Sequence, residues 1–504
     1  MASSIYAAID IGSSELSMKI FEISKSRGIH ELTHVRHKLS LGAETYIKQI
    51  ISYQTVSEIC TILNDFKRIM NEFKVSNWQV FATSALREAR NALVVIDQIN
   101  VQTGFNIKVL SNSEARFLYY KALALKDSNF ESLIEDGTLI VDIGAGSLQL
   151  SIFTQGKLRA TQNLLLGSSR IRELLQAMQE ETYDFEALIN EYIEMDLVTF
   201  KKLYLNSTTI KHIITIGEMI PEIYYYLKNT RPDFDGLLSK KLLTRTKFSK
   251  DMDSSKAELI LPTILLCRKI AALSGCEELH LAPIDLCDSM AAEYAEKKVK
   301  LISGHDFTED ILSASQNIAK KYKVYMKHVD NVQTLALQIF DKIRKLHGLG
   351  KRERLLLQIA VILHNCGAYI SEIQSNECSY QIISSTEIIG ISHRERMMVA
   401  NMVRYNNTSF PSYSELTEEF SKNDYITTVK LNAILKTANV LDKSGHQKIK
   451  NIGVTLQDDI MTITADTMAD ITLEKGLFSH KAKDFQEVFG IRPILNQKRS
   501  GKRG

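Results

Sequence analysis

The spacing of apolar residues changes along the chain and divides it into an α/β part and a helical part. Up to about residue 300, short apolar runs typical of buried strands alternate with amphipathic stretches of helical period. From about residue 308, amphipathic stretches such as Val332-x-x-Leu335-x-Leu337 dominate, and few strand patterns occur before residue 445. The pattern predicts strands at 5–9, 16–23, 78–82 and 213–217 and helices at 55–74, 114–124 and 259–273.

The same pattern predicts four domains. Two α/β domains come first, at residues 1–125 and 126–300, because strand and helix patterns alternate through both. An all-helical domain follows at 301–445. A small α+β domain is expected at 446–504, where strand alternation returns at 454–456, 461–463 and 471–473.

A strand-and-loop unit occurs twice, once in each α/β domain. The first copy runs from the apolar strand 5–9 through Asp10-Ile11-Gly12-Ser13-Ser14 into the alternating strand 16–20. The second runs from the strand 139–141 through Asp142-Ile143-Gly144-Ala145-Gly146-Ser147 into the strand 148–153. One such unit is often only a hairpin turn, but two with matching flanks indicate a repeated architecture.

Both loops have the chemistry of a phosphate site. Small residues let phosphate oxygens approach converging backbone N–H groups, and the aspartate can hold a divalent cation that neutralises the same phosphates. The spacing fits neither a P-loop nor a dinucleotide-binding fingerprint, since each loop opens a strand rather than a helix. We therefore expect the two loops to form a clamp for phosphate.

Composition and charge give little information about function, beyond disfavouring a membrane-spanning or disulfide-bonded protein. The 504 residues carry a net charge of +3, which gives no bulk electrostatic reason to expect nucleic acid or membrane as a partner. Six cysteines without a C-x-x-C pair predict free thiols in a reducing cytoplasm, and no apolar run is long enough to span a bilayer. The basic segment 498–503 is interpreted as a solvated terminus.

Two further segments between the loops could act on phosphate. In the segment 82–91 a strand ends and a helix begins, so that unpaired N–H groups and Arg87 could meet an anion. In Ser111-Asn112-Ser113-Glu114, Glu114 falls in the first turn of a helix. Each has a structural alternative: arginines on a helix usually form a solvated face, and an acidic residue in a first turn complements the helix dipole.

These segments, in this order, resemble the exopolyphosphatase and guanosine-pentaphosphate phosphohydrolase family of the actin-like ATPase superfamily. The resemblance rests on the segments 8–13, 83–87, 113–116, 141–147, 166–170, 391–396 and 403–405. It implies two actin-like (ribonuclease H-like) domains, an all-helical HD-like domain and a small α+β C-terminal domain.

The resemblance also implies a site. Glu114 matches the family's general base, which orients a water for attack on a terminal phosphate. Asp142, with help from Asp10 and Gln149, would hold Mg²⁺. The groups expected to bind phosphate oxygens are Gly12, Ser13, Ser14, Arg87, Gly144, Ala145, Gly146 and Ser147.

The chain departs from the family pattern in the second α/β domain. Gln149 stands where the family usually has a glutamate, which removes a negative charge from the metal site. Ala145 replaces a glycine, which is costly only if that position needs a positive φ. The glycine-rich turns expected near residues 217 and 283 are reduced.

The helical domain also departs from its pattern. Asn365 and Asn439 stand where an HD-type metal site has aspartates, although His328 and His364 are present. We expect no second hydrolase site there. The domain would be structural or would guide a polyanion along its lysines and arginines.

The leading hypothesis is a Mg²⁺-dependent exopolyphosphatase, a hydrolase of phosphoric anhydrides that removes the terminal phosphate of inorganic polyphosphate. Guanosine pentaphosphate is the alternative substrate because it presents the same terminal group. A third hypothesis is a catalytically weak sensor that binds polyphosphate or an alarmone, which Gln149 favours and Glu114 and Arg87 disfavour. A kinase is disfavoured because the glycine turn around Gly217 is poorly formed. We expect a cytoplasmic homodimer.

Overall fold

The computed structural model describes residues 3–179, 182–206, 208–245 and 254–499, and the chain forms two compact units, residues 1–307 and 308–504. Most of the basic segment interpreted as a solvated terminus, from residue 500 onward, lies outside the described residues. Within those described ranges, none of the helices combines the length and the apolar character needed to cross a membrane.

The first unit contains two mixed sheets. Its strands are β1 (Ser4–Ile11), β2 (Glu15–Ser24), β3 (Gly28–Lys38), β4 (Asn77–Ala82), β5 (Ile107–Val109), β6 (Thr138–Ile143), β7 (Leu148–Thr154), β8 (Lys157–Leu164), β9 (His212–Gly217), β10 (Leu237–Ser239) and β11 (Glu278–Leu281). Its helices are α1 (Leu41–Lys48), α2 (Tyr53–Glu72), α3 (Ser84–Glu88), α4 (Ala92–Thr103), α5 (Asn112–Lys126), α6 (Phe130–Glu135), α7 (Ser168–Leu175), α8 (Phe185–Phe200), α9 (Ile220–Thr230), α10 (Lys240–Arg245), α11 (Ser254–Ser274) and α12 (Leu286–Tyr294).

The repeat seen in the sequence is also a repeat of topology. The first sheet has the strand order β3-β2-β1-β4-β5, and the second contains β8-β7-β6-β9-β11 with β10 added at one edge. In each sheet the central strand is antiparallel to the strand that follows it in sequence, and parallel to its other neighbour. The two loops therefore occupy equivalent places in the two sheets.

Each central strand is an apolar run because both of its faces are covered. On β1, Ala7 and Ile9 pack in the same core cluster as residues of α2, whereas Tyr6 and Ala8 pack in the cluster that includes residues of α12. All residues of β6 are buried as well. Continuous apolar sequence is expected for strands that are buried on both faces.

The second unit is helical and ends in a three-stranded sheet. Its helices are α13 (Phe307–Lys321), α14 (Met326–Lys342), α15 (Arg344–His347), α16 (Lys351–Leu363), α17 (Ser375–Ser385), α18 (His393–Arg404), α19 (Lys422–Val440) and α20 (Thr472–Phe489). Its strands are β12 (Ile452–Gln457), β13 (Ile460–Asp466) and β14 (Arg492–Lys498). β12 is antiparallel and β14 parallel to β13, with α20 as the crossover between β13 and β14.

The strand expected at 471–473 is wrong, and the helix expected at 55–74 ends two residues earlier, at Glu72. The other predicted strands and helices fall within observed elements. Ile471 caps α20 and Leu473 lies in its first turn. Ile471 is buried and Leu473 is half exposed, so the two side chains do not share the apolar face of a strand. Two apolar residues at i and i+2 are too short a signal to distinguish a strand from a helix start.

The close packing of β9 against β6 can be tested at Gly217. Its φ is +129°, and a Cβ placed on it would lie 2.2 Å from the carbonyl oxygen of Ile143. We expect Gly217→Ala to lower the free energy of unfolding by at least about 3 kcal/mol, because it combines backbone strain with a clash against backbone. Gly275→Ala is the control: its φ is +77° with open space around it, so the loss should be about 1 kcal/mol. Equal losses in urea denaturation would contradict this account.

Candidate functional site

The two loops have the same internal geometry. Gly12 N–H donates to Glu15 O at 3.0 Å, and Gly144 N–H donates to Ser147 O at 3.0 Å. Across the hairpins, Asp10 is the register partner of Ser17 and Asp142 is the partner of Gln149. Each aspartate therefore stands one residue before the end of its strand, beside a tight turn.

A single cavity brings most of the predicted site residues together. Of the predicted residues, Asp10, Gly12, Ser13, Arg87, Asp142, Gly144, Ala145, Gly146, Ser147 and Gln149 line it. Ser14 and Glu114 are not among its lining residues. Ser14 faces a neighbouring cleft, where its hydroxyl donates to Glu218. Ala145 does not have a positive φ, so the replacement of a family glycine there causes no backbone strain.

Glu114 is held at the start of α5 by a capping box. Its Oε2 accepts hydrogen bonds from the N–H and the hydroxyl of Ser111, at 3.1 and 3.0 Å. Its Oε1 lies 2.8 Å from Lys108 Nζ. The structural alternative for Glu114 is therefore present in the molecule, although its neighbours Asn112 and Ala115 line the cavity.

Gln149 is engaged by a fully buried arginine. Arg116 Nε donates to Gln149 Oε1 at 2.6 Å, and Arg116 has no exposed surface. A guanidinium has only donors, so this contact fixes the amide oxygen toward Arg116 and leaves the NH₂ group for other partners. No local pattern in the sequence marks Arg116 as the buried partner of Gln149.

Arg87 is positioned by backbone and amide oxygens at the cavity wall. Its Nη1 donates to Leu110 O at 2.6 Å and its Nη2 donates to Asn112 Oδ1 at 2.7 Å. Both acceptors belong to the segment that leads into α5. These bonds fix the guanidinium at the cavity wall, and its binding of phosphate stays a prediction.

The cavity is rich in carboxylates. Besides the predicted aspartates, its lining includes Glu15, Glu218 and Asp285. Burial, with repulsion from Asp285, Glu15 and Glu218, raises the pKa of Asp10 well above its usual value. Burial also raises the pKa of Asp142 to about 6, although the nearby Arg116 guanidinium lowers it. Of these additional acids, Glu218 has a signal in the sequence, because it directly follows the strand β9.

Side chains of the two α/β halves meet beside the loops. The Tyr46 hydroxyl lies 2.8 Å from Ser13 Oγ and 2.8 Å from Ser84 Oγ. A Cβ on Gly146 would lie 2.7 Å from that hydroxyl, so only glycine allows this approach. Arg170 donates from Nε to Gly146 O at 2.8 Å, and its guanidinium lies 4.7 Å from the centre of the Tyr46 ring. These contacts hold the second loop against the first half.

In the second unit, the histidines singled out in the sequence lie together in the core. His328 Nδ1 lies 2.8 Å from Asp442 Oδ2, and the Nε2 atoms of His328 and His364 are 3.3 Å apart. Burial, with the neighbouring His328, lowers the pKa of His364 to about 4. In the described part of the chain, no group of three or more His, Cys, Asp or Glu side chains is arranged to hold a metal.

The raised pKa of Asp142 makes stability depend on pH. The folded state binds this proton more tightly than the unfolded state, whose Asp pKa is about 4, so stability falls as pH rises from about 4 to about 6. We expect Asp142→Asn, measured with a chelator, to be more stable than wild type at pH 8 by on the order of 2 kcal/mol, with the difference vanishing near pH 4. Urea denaturation across this range checks it. Asp97→Asn, at an exposed position on α4, is the control and should change nothing; a pH-independent effect of Asp142→Asn would contradict the assignment.

Similarity to known proteins extends over most of the chain. The sequence model of the Ppx/GppA phosphatase family matches residues 20–259, and that of Ppx/GppA phosphatase, domain III, matches residues 312–482. The chain is 22% identical over 502 residues to a guanosine-5'-triphosphate,3'-diphosphate pyrophosphatase of Pseudoalteromonas translucida, covering 91% of both proteins. It is 21% identical over 249 residues to a bifunctional 3-dehydroquinate synthase/phosphatase of Fusobacterium nucleatum, which corresponds to 47% of this chain and 37% of that protein.

Among solved structures, an exopolyphosphatase from Cytophaga hutchinsonii superposes with a TM-score of 0.50 at 19% identity, covering 60% of this chain and 100% of that one. At this identity the similarity shows the fold alone. The molecule has two sheet-based actin-like domains followed by a helical domain III and a small C-terminal sheet. The chain belongs to the Ppx/GppA phosphatase family.

Proposed function

We propose that the protein is an exopolyphosphatase that hydrolyses the terminal phosphoanhydride of inorganic polyphosphate. The observation that carries the proposal is the single cavity lined by both hairpin loops, both aspartates and Arg87. Phosphoryl transfer needs a positioned nucleophile, charge neutralisation and in-line geometry. Two equivalent loops that line one cavity suit the binding of a terminal phosphate.

A divalent cation such as Mg²⁺ fits the acids of the cavity. Asp10 Oδ1 is buried and has no hydrogen-bond partner among the described residues, and carboxylate oxygens are the ligands that Mg²⁺ prefers. Asp10 and Asp142 would hold the cation. Gln149 would be a weaker ligand, because its carbonyl oxygen already accepts a hydrogen bond from the Arg116 cation. When bound, the cation would supply positive charge to the transferred phosphoryl group.

The other groups of the site would orient the substrate and take a proton. Arg87 and the loop residues Gly12, Ser13, Gly144, Ala145, Gly146 and Ser147 would bind phosphate oxygens, and Ser14 would support the first loop from the neighbouring cleft. Glu114 would accept the proton of the attacking water. To do so, its carboxylate must leave the contacts with Ser111 and Lys108.

Two alternatives each have an observation in their favour. A guanosine pentaphosphate phosphohydrolase is favoured by the Pseudoalteromonas relative, whose name states activity on a guanosine polyphosphate and which aligns over 91% of this chain. A sensor that binds polyphosphate or an alarmone with little turnover is favoured by the engagement of Gln149 and Glu114 in structural contacts.

The second unit is proposed to be an HD-like domain without a hydrolase site of its own. The hydrogen bonds of His328 and His364 to core groups support this, since both imidazoles already have partners. Inorganic polyphosphate and guanosine pentaphosphate are the proposed ligands, and a cytoplasmic homodimer is the proposed form.

The general-base role of Glu114 can be separated from its capping role. Glutamine preserves the capping box but cannot take a proton. We expect Glu114→Gln to keep the melting temperature and to lower phosphate release from polyphosphate with Mg²⁺ by a factor of about 10² to 10⁴. Both properties are measured on the same purified protein.

Glu395→Gln is the matched control, because Glu395 forms the equivalent capping box with Ser392 at the start of α18. It should leave phosphate release unchanged. If Glu114→Gln retained wild-type turnover, Glu114 would be a cap only, and the base assignment would fail.

The substrate is tested by measuring kcat/KM for long polyphosphate and for guanosine pentaphosphate side by side. We expect the polyphosphate value to be higher. The reverse order would establish the pentaphosphate alternative. Binding of either compound without turnover by the wild-type protein would establish the sensor.

A further inference from the structure

Ser17 and Gln149 occupy equivalent positions in the two halves. Ser17 lies on β2 opposite Asp10, and Gln149 lies on β7 opposite Asp142. Both side chains line the cavity, and both residues are almost fully buried, with 6% and 7% of their surface exposed. The topological repeat therefore places one neutral hydrogen-bonding side chain next to each aspartate.

A nitrogen-containing side chain lies behind each of these residues. Behind Gln149, Arg116 Nε donates to Oε1 at 2.6 Å, which turns the amide oxygen toward Arg116 and leaves both N–H donors of the NH₂ group for the cavity. Behind Ser17, His34 Nε2 lies 2.8 Å from Oγ. In the described part of the chain, His34 is the partner that the structure gives to the Ser17 hydroxyl. The two arrangements differ in residue type but have the same layout.

We propose that Ser17 and Gln149 are a matched pair of neutral donors that bind the phosphate from the two halves of the cavity, with Arg116 and His34 as positioning residues behind them. His34 donates from Nε2–H to Ser17 Oγ, so that the Ser17 O–H turns to the phosphate. A hydroxyl that accepts a hydrogen bond at its oxygen donates its own hydrogen more strongly, because hydrogen bonds in a chain polarise one another. The proposal rests on the proposed function only in requiring that the cavity binds phosphate.

The charges around His34 are consistent with this arrangement. Burial, with the nearby Lys19 and Arg36 cations, lowers the pKa of His34 to about 4, against the opposite influence of Glu31 and Asp288. His34 is therefore a neutral imidazole with a single N–H. Neutral donors suit a cavity that already contains several carboxylates, because they bind phosphate oxygens without depending on a cation.

The proposal is tested with inorganic phosphate as the probe, in the presence of a chelator and again with Mg²⁺. Binding to the full-length protein is followed by ³¹P NMR titration. We expect Ser17→Ala and Gln149→Glu each to weaken phosphate binding about tenfold without any divalent cation, since each loses a hydrogen bond to a charged group. Gln149→Glu keeps an acceptor for Arg116, so that no buried charge loses its partner.

Ser151→Ala is the control, because Ser151 follows Gln149 on the same face of β7, is fully buried and is not among the residues lining the cavity. It should bind phosphate as wild type does. His34 provides a second readout: His34→Gln, which can donate, should retain binding, and His34→Glu, which can only accept, should resemble Ser17→Ala.

The outcomes separate this proposal from the proposed function. If Ser17→Ala and Gln149→Glu bind phosphate as wild type does, or weaken only when Mg²⁺ is present, the donor pair is refuted even if the wild type hydrolyses polyphosphate. If both variants weaken cation-free binding but the wild type releases no phosphate, the donor pair stands and the hydrolase proposal fails.

Discussion

The cavity depends on how closely the second hairpin loop approaches the first half of the molecule. Gly146 lies against the hydroxyls of Tyr46 and Ser84 at a distance that leaves no room for a Cβ. Arg170 ties the carbonyl of Gly146 to the Tyr46 ring and to Glu88. Because this approach places the two loops on one cavity, both aspartates and their register partners Ser17 and Gln149 line the same space.

Within that geometry, charge is the feature that distinguishes this chain. Carboxylates crowd the cavity, and burial works against the ionisation of Asp10 and Asp142 by raising the pKa of each. Arg116 and Arg87 supply the compensating positive charge, each held by specific acceptors. Gln149 then has a clear physical role: it gives Arg116 an acceptor without adding another negative charge beside Asp142.

The loops, the strand ends and ten of the residues that line the cavity were predictable from the sequence, because they belong to short local patterns. An aspartate at the end of an apolar strand, followed by small residues, is a pattern within one short stretch of sequence. Its occurrence in both halves predicts the repeated topology. The contacts of Gln149 with Arg116 and of Ser17 with His34 were not predictable, since they join residues on different elements whose packing no local pattern records. Glu114 shows the opposite case. The sequence allows Glu114 to be a catalytic base or a helix cap. In the folded chain, the geometry of the helix start gives its carboxylate the contacts of a cap.

The burial of Asp10 and Asp142 has a consequence for the life of the protein in a cell. Folding places these carboxylates where their ionised forms are poorly solvated, and the unfolded chain does not bear that penalty. Any cation or phosphate compound that binds the cavity stabilises only the folded state, in proportion to the logarithm of its concentration. Degradation by proteases acts on the unfolded population. The abundance of this protein should therefore follow the supply of its ligands, and the site would control the lifetime of the chain as well as its chemistry.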